Sequence, residues 1–330
     1  MDLIQLEQLA DALLEKIRAK DGASYSVAAL ALRLKSDADE MDEAIRLIEE
    51  WGYRLKRDGD FVTLVSTPDT LSATEIRHNL ATKFIGQAAH SYQSVKSTND
   101  IADSLACSGA PEGTIVTAER QTAGRGRRGR SWHSPEGTGI YLSIILRPKF
   151  KPEKAPGVSI MTALALADTI SEYCPNKTAI KWPNDILIDG RKVAGILTEL
   201  YAEKNRVEYI VIGIGININT RPEDFPEDIK KIATSIRAPC RKKISRIALL
   251  QKFLIAFEKE YLAYQQDQLA RSHKRVRGYS SLIGHRVKLA SGKGIIEGTA
   301  LDIDADGALL IDINGERRTI TSGEVTVVKE

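Results

Sequence analysis

Residues 124–130 read Gly-Arg-Gly-Arg-Arg-Gly-Arg, a run suited to neither a regular helix nor a regular strand. Its glycines let the backbone bend tightly around a bound group. Its arginines offer forked donors that match phosphate and carboxylate geometry. Such a loop can fold over an anionic ligand and would be loose without one. A solvated basic loop and an RGG-type nucleic-acid run are the plainer readings, and the run alone does not separate the three. Its flanks narrow the choice. Gly113 to Glu119 reads as a strand entering the run, and Gly139 to Leu146 as an apolar strand leaving it. A loop between two strands of one sheet is a good place for a binding lid.

The 330 residues exceed what one core usually supports, so two or three domains are expected. A net charge of only +3 argues against a general nucleic-acid sponge. Cys107, Cys174 and Cys240 are far apart in sequence and form no zinc, redox or disulfide spacing. They suit a reducing cytoplasm. The first twenty residues mix polar and apolar types, unlike a signal peptide. No apolar run reaches transmembrane length, so no membrane role is expected.

Leu3, Leu6, Leu9, Leu13 and Ile17 recur at helical spacing. Ser26 can cap a helix over Val27 to Leu34. Ser36 with Asp39 fits a capping box for a third helix ending near Trp51-Gly52. Tyr53 to Lys56 and Phe61 to Leu64 flank Asp58-Gly59, a hairpin signal. Three helices and a hairpin predict a winged helix-turn-helix over 1–66. Charge opposes DNA binding: residues 1–70 hold nine Lys and Arg against fifteen Asp and Glu. The third helix opens with Asp37, Asp39, Glu40, Asp42 and Glu43, which suit the helix dipole and repel phosphate. Only the wing, with Arg54, Lys56 and Arg57, looks suited to DNA.

A polar linker and a short helix capped by Ser72 fill 67–82. From 83 to 275 strands and helices alternate. Ser91 to Val95 reads as a strand, and Ser97 with Asp100 is spaced as a capping box for the helix that follows. Thr178 to Lys181 reads as a strand ended by Trp182-Pro183-Asn184-Asp185. A lone lysine such as Lys181 usually snorkels to solvent; the alternative is a point charge aimed at a carboxylate or phosphate. Asp189-Gly190 marks a hairpin. Gly213-Ile214-Gly215 lies within a strand, where glycines signal close approach of a ligand or backbone. Residues 279–330 alternate apolar and polar types between turns at Ser291-Gly292, Asp306-Gly307 and Asn314-Gly315, which predicts an SH3-like β barrel. The whole is an α+β chain: a winged helix-turn-helix, a central mixed-sheet α/β domain and a C-terminal barrel.

Taken in order, several motifs resemble one family. They are Ser97-Thr98-Asn99, Gln121 to Trp132, Lys181-Trp182-Pro183-Asn184-Asp185, Gly190 to Leu197 and Gly213 to Asn217. The chain resembles biotin protein ligases. With its N-terminal domain it looks like the bifunctional ligase/repressors of the BirA type. The resemblance implies a central domain like those of lipoate ligases and class II aminoacyl-tRNA synthetases. It implies that ATP activates biotin to biotinyl-5′-AMP with Mg²⁺, and that biotin then passes to a lysine of a biotin carboxyl carrier protein. By resemblance Ser97, Thr98, Asn99 and Gln121 contact biotin. Gly124, Arg125, Gly126 and Arg127 bind biotin and its adenylate, and Arg128 and Arg130 serve the nucleotide phosphates. Trp132 packs on the adenine side, Gly195 and Gly215 form the pocket floor, and Arg127 and Lys181 act in catalysis. No metal ligand set comes from a protein motif. The resemblance further implies operator DNA as a partner and a homodimer when adenylate is bound. The acidic third helix departs from the family pattern. A ligase whose degenerate winged helix only regulates catalysis, and a lipoate–protein ligase, are the alternatives.

Overall fold

The computed structural model describes residues 2–20, 22–291 and 294–328. Contacts divide the chain into two units, Met1–Asp69 and Thr70–Glu330.

The first unit holds α1 (Leu3–Ile17), β1 (Ser24–Ser26), α2 (Val27–Leu34), α3 (Ala38–Glu50), β2 (Arg54–Asp58) and β3 (Phe61–Ser66). Leu13, Leu14, Ile17, Met41, Ile48 and Val62 form its closed core. Each such side chain contributes about 1.5–3 kcal/mol by leaving water. The cap of α3 falls one residue later than the spacing predicts. Asp37, not Ser36, accepts from Glu40 N, and the Glu40 side chain returns to Asp37 N. A carboxylate is the stronger acceptor there, and Ser36 is left to donate to Glu40 at 2.8 Å. The three-residue β1, too short for any periodicity, joins the hairpin in a sheet of order β1-β3-β2.

The second unit begins with α4 (Ala73–Arg77), β4 (Ala89–Val95), α5 (Thr98–Cys107), β5 (Ile115–Gln121), β6 (Gly139–Leu146), α6 (Ala155–Ser171), β7 (Thr178–Lys181) and β8 (Asp185–Ile188). It continues with β9 (Arg191–Glu203), β10 (Arg206–Asn217), α7 (Arg237–Cys240), α8 (Arg246–Asp267) and α9 (His273–Tyr279). Seven strands form one mixed sheet, β4-β5-β6-β10-β9-β8-β7. Only the β4–β5 pair is parallel among the described residues. Every residue of β6 is buried, as its unbroken apolar run requires. Helices α6 and α8 pack together, and Leu249, Phe253 and Phe257 of α8 are fully buried. The first residue of α8, Arg246, reaches through this core to Glu119 of β5 at 2.7 Å, and both side chains are buried. Glu119 also accepts from Leu71 N at 2.7 Å. Cys174 and Cys240, 66 residues apart, bring their sulfurs to 3.7 Å as free thiols, a proximity that sequence spacing hid.

The C-terminal strands are β11 (Arg286–Ser291), β12 (Gly294–Ile303), β13 (Leu309–Ile313), β14 (Glu316–Ile320) and β15 (Glu324–Val327). They pair in the open order β14-β13-β12-β11-β15. No pairing closes β14 on β15 among the described residues, so the expected barrel is an open sheet here. The Asp306-Gly307 and Asn314-Gly315 turns are present, with Gly307, Asn314 and Gly315 at positive φ. The turn expected at Ser291-Gly292 reaches outside the described residues.

Candidate active site

The floor of the site is a patch of sheet without side chains. Gly215 of β10 lies directly opposite Gly195 of β9, and the Trp132 indole rests on both. A Cβ on Gly215 would come within 2.3 Å of that ring, and one on Gly213 within 2.3 Å of Asn99 Oδ1. These strand glycines are therefore required by close approach.

Hydrogen bonds fix the polar wall. Ser143 Oγ lies 2.6 Å from Asn99 Oδ1 and 2.8 Å from Thr98 Oγ1. Asn99 Nδ2 donates to Glu199 at 2.7 Å. Thr98 N donates to Gln121 Oε1 at 2.8 Å, and Gln121 Nε2 donates to Ser134 Oγ at 3.0 Å. The expected Ser97–Asp100 capping box does not form. Ser97 makes no side-chain cap bond, because Gln121 serves the first N–H of α5 and Asp100 is turned toward Arg125, 2.6 Å away. With Arg125, Gly126 and Arg127, these groups enclose an inner cavity of about 50 Å³. Ligand pockets usually hold roughly 300 Å³ or more.

A second cavity of about 460 Å³ adjoins the first across Arg127, Trp132, Asn184 and Lys192, which line both. Its cations are Arg127, Arg128, Arg130, Lys181, Lys192 and Lys231; its carboxylates are Asp185 and Glu324. Arg127 donates to Asn184 Oδ1 at 3.0 Å, and Asn184 Nδ2 donates to Ile196 O at 2.9 Å. Burial, and then the neighbouring Arg128, lower the Arg127 pKa from the guanidinium value. Lys192 Nζ lies 2.7 Å from Asp185 Oδ1 and 5.3 Å from the centre of the Trp132 ring. Arg130 donates to both oxygens of Glu324 at 2.8 Å. These bonds hold the Glu324 carboxyl below its usual range. A third recess of about 270 Å³ shares Arg127, Asn184 and Ile196 with the inner cavity. Its remaining walls are uncharged, among them Ala155, Pro156, Ser159 and Leu200.

Of the residues singled out in the sequence, Ser97, Thr98, Asn99, Gln121, Arg125, Gly126, Arg127, Trp132, Gly195 and Gly215 meet at the inner cavity. Arg128, Arg130 and Lys181 line the outer one. Gly124 shapes the loop, accepting from Trp132 N at 2.8 Å. Sequence reasoning missed Lys192, which lines both cavities, while Lys181 lines only the outer one. It also missed Asn184, Ser143 and Glu199. The Asp189-Gly190 turn was the available signal for Lys192, since a hairpin there folds Lys192 back against Leu187. In the first unit Arg54, Lys56 and Arg57 are all exposed. Arg57, however, is bound to Asp42 of α3 at 2.7 Å. The rest of that helix exposes Asp39, Glu43, Glu49 and Glu50 with one cation, Arg46.

Residues 91–217 match the biotin/lipoate A/B protein ligase family, and residues 282–328 match the biotin protein ligase C-terminal domain. The bifunctional ligase/repressor BirA of Bacillus subtilis (strain 168) is 40% identical over 281 residues, 85% of this chain and 84% of that protein. The biotin–[acetyl-CoA-carboxylase] ligase of Mycobacterium tuberculosis is 34% identical over 239 residues, 69% of this chain and 85% of that one. Among solved structures, the Aquifex aeolicus biotin protein ligase in complex with biotin and ATP superposes with a TM-score of 0.63. It is 28% identical, and the match covers 74% of this chain and all of that one. The chain belongs to the biotin protein ligases. Within them it is of the bifunctional ligase/repressor, BirA type. No helix among the described residues is long and apolar enough to cross a membrane.

Proposed function

We propose that this chain is a biotin–[acetyl-CoA-carboxylase] ligase that also represses biotin genes. The observation that carries the enzymatic half is the junction at Arg127, Asn184 and Lys192. There a small polar cavity on a glycine floor opens into a larger cationic one. Biotin occupies the first, against Ser97, Thr98, Asn99 and Gln121, once Trp132 makes room. The ATP phosphates occupy the second, among Arg127, Arg128, Arg130, Lys181 and Lys192. Among the described residues no three His, Cys, Asp or Glu side chains gather to hold a metal. Mg²⁺ would enter with the nucleotide beside Arg127, Arg128, Arg130, Lys181 and Lys192, and would supply further neutralisation of phosphate charge.

The biotin carboxylate is ionised at neutral pH and needs no base. Its oxygen attacks the α-phosphorus, and pyrophosphate leaves with the bonding electrons. The barrier is the meeting of anions, which Arg127, Lys192 and Lys181 lower by opposing the charge. Trp132 and the Gly124–Arg130 loop keep water from the mixed anhydride. A lysine amine of the carrier protein, having lost a proton, then attacks the acyl carbon, and AMP departs. Asp185, already bound to Lys192, is the proposed acceptor of the amine's proton. The first unit acts as a winged helix-turn-helix touching operator DNA through Arg54 and Lys56, and loading with adenylate drives dimerisation. The five-stranded C-terminal sheet supports the ligase centre as an SH3-like unit. The domains divide at 1–66, 67–82, 83–275 and 279–330.

Pyrophosphate release tests the enzymatic reading. Biotin should drive it in the presence of ATP and Mg²⁺, and lipoate should not. Release driven by lipoate instead would make the chain a lipoate ligase.

A further inference from the structure

The Arg-Gly loop divides its arginines between two tasks. Arg125 NH1 lies 2.6 Å from Asp100 Oδ1, and its NH2 lies 3.7 Å from Glu199 Oε1. The hydrogen bond to Asp100 is the largest cause of its raised pKa. Arg130 is held by Glu324. Between these two anchors the loop closes on itself. Gly126 N donates to Arg130 O at 2.7 Å, and Arg125 bridges to Ser131. Arg127 stands at the top of that closure. Its guanidinium has an amide partner, Asn184, rather than a carboxylate among the described residues.

We propose that Arg125 is a positioning residue. Its guanidinium is committed to Asp100 and Glu199, and it docks the loop on the site so that Arg127 faces the reacting groups. Two further observations support this. Asp100 sits where a capping-box acid would serve the helix, yet it serves the loop. Glu199 spends its second oxygen on Asn99 Nδ2 at 2.7 Å, and so ties the docked loop to the polar wall of the inner cavity. Asn99 in turn is fixed by Ser143 and by the missing side chain at Gly213. Loop position and wall geometry therefore share one carboxylate. Both partners of the Asp100–Arg125 pair are close to half exposed, so the pair is of modest strength.

The inference rests on the ligase reading, so its test includes a readout that does not depend on turnover. In the full-length protein without ligand, trypsin should cut after Arg127 or Arg128 faster in D100N and E199Q than in wild type. Gln at 199 can still accept from Asn99, so E199Q removes only the charge. In biotin-dependent pyrophosphate release, D100N and R125Q should each raise the biotin KM about fivefold, the scale of a half-exposed ion pair. Their kcat should fall far less than that of R127Q, because Arg127 itself is still there to oppose the charge. The D100N/R125Q double variant should match R125Q, since D100N cuts a contact that R125Q has already removed. R127Q, by contrast, should lower kcat by about a hundredfold or more, as losing a charge-stabilising donor does. The inference is overturned if R125Q lowers kcat as R127Q does. It is equally overturned if the two KM effects multiply, or if D100N and E199Q leave trypsin cleavage unchanged. A wild-type protein that releases no pyrophosphate with biotin would instead sink the ligase reading, and the proteolysis arm would still decide whether Arg125 docks the loop.

Discussion

The loop at 124–130 and helix α3 are both dense in charge, and they put it to opposite use. Around the loop, cations face a cavity, and carboxylates hold the outer ones by the edge: Arg125 by Asp100, Arg130 by Glu324. On α3 the acids face solvent, and one of them, Asp42, captures the hairpin cation Arg57. A concave surface lined with one sign of charge concentrates a field. A convex helix disperses its charge into water. Net charge per segment therefore says little about ligand binding until the shape of the surface is known.

The comparison sharpens most on ion pairs of different depth. Glu119–Arg246 is buried, and removing one partner leaves a charge without compensation. Glu119→Gln should destabilise the second unit by about 3–5 kcal/mol in urea unfolding, and should also loosen Leu71, which Glu119 binds. A loss below about 1 kcal/mol would mean that this interior is wetter than the burial of both side chains implies. Next in size is Gly215→Ala. The new methyl would press on Trp132 at 2.3 Å, so the ring or the strand must shift. Overpacking of that kind costs about 1–3 kcal/mol. Biotin affinity by calorimetry should fall roughly ten- to a hundredfold, while unfolding of the first unit stays unchanged.

Much of this contrast was open to sequence reading, and the reasons for the rest are local. The strands flanking the loop, the Asp189-Gly190 hairpin and the strand glycines each carry their own signal in neighbouring residues. Period and spacing do not tell which of two basic side chains, Lys181 or Lys192, also reaches the inner cavity, so Lys192 is not legible in the sequence. Asp100 was read as a cap because local spacing fits one. Its partner Arg125 is distant in sequence, and only the fold brings the two together. The same holds for Cys174 and Cys240. Strand β15, which carries Glu324, is four residues long and has no periodicity to read.

The loop's outer anchor has a pH dependence of definite sign. The hydrogen bond from Arg130, followed by the charges of Arg130 and Arg128, depresses the Glu324 pKa in the folded protein. A depressed folded pKa gives stability that is present above the unfolded value, roughly 4.3, and lost as pH falls through the folded value. The loop should therefore stay latched at neutral pH and release only as pH falls below the usual glutamate range, roughly 4.3. Pulse-labelled hydrogen exchange of residues 125–131 across that range would show it. Glu324→Gln should remove the dependence. Because Glu324 is partly exposed, the loop should loosen without unfolding the domain.

The smallest effect on stability comes from the other side of the comparison. Asp42 and Arg57 are both more than two-fifths exposed, so Asp42→Asn should change the stability of the first unit by less than about 1 kcal/mol. Its effect on DNA should be larger than its effect on folding. The substitution removes one acid from α3 and frees Arg57, so a phosphate can take the place of the carboxylate. Binding of the adenylate-loaded protein to its operator should tighten, and the salt dependence should steepen by about one counter-ion. Lys56→Ala should do the reverse, weakening binding evenly across sequences and lowering the salt slope by about one. If Asp42→Asn leaves both affinity and slope unchanged, Arg57 does not reach DNA even when free. The wing would then contact it through Arg54 and Lys56 alone, and the Asp42–Arg57 pair would serve only to fix the hairpin against the helix.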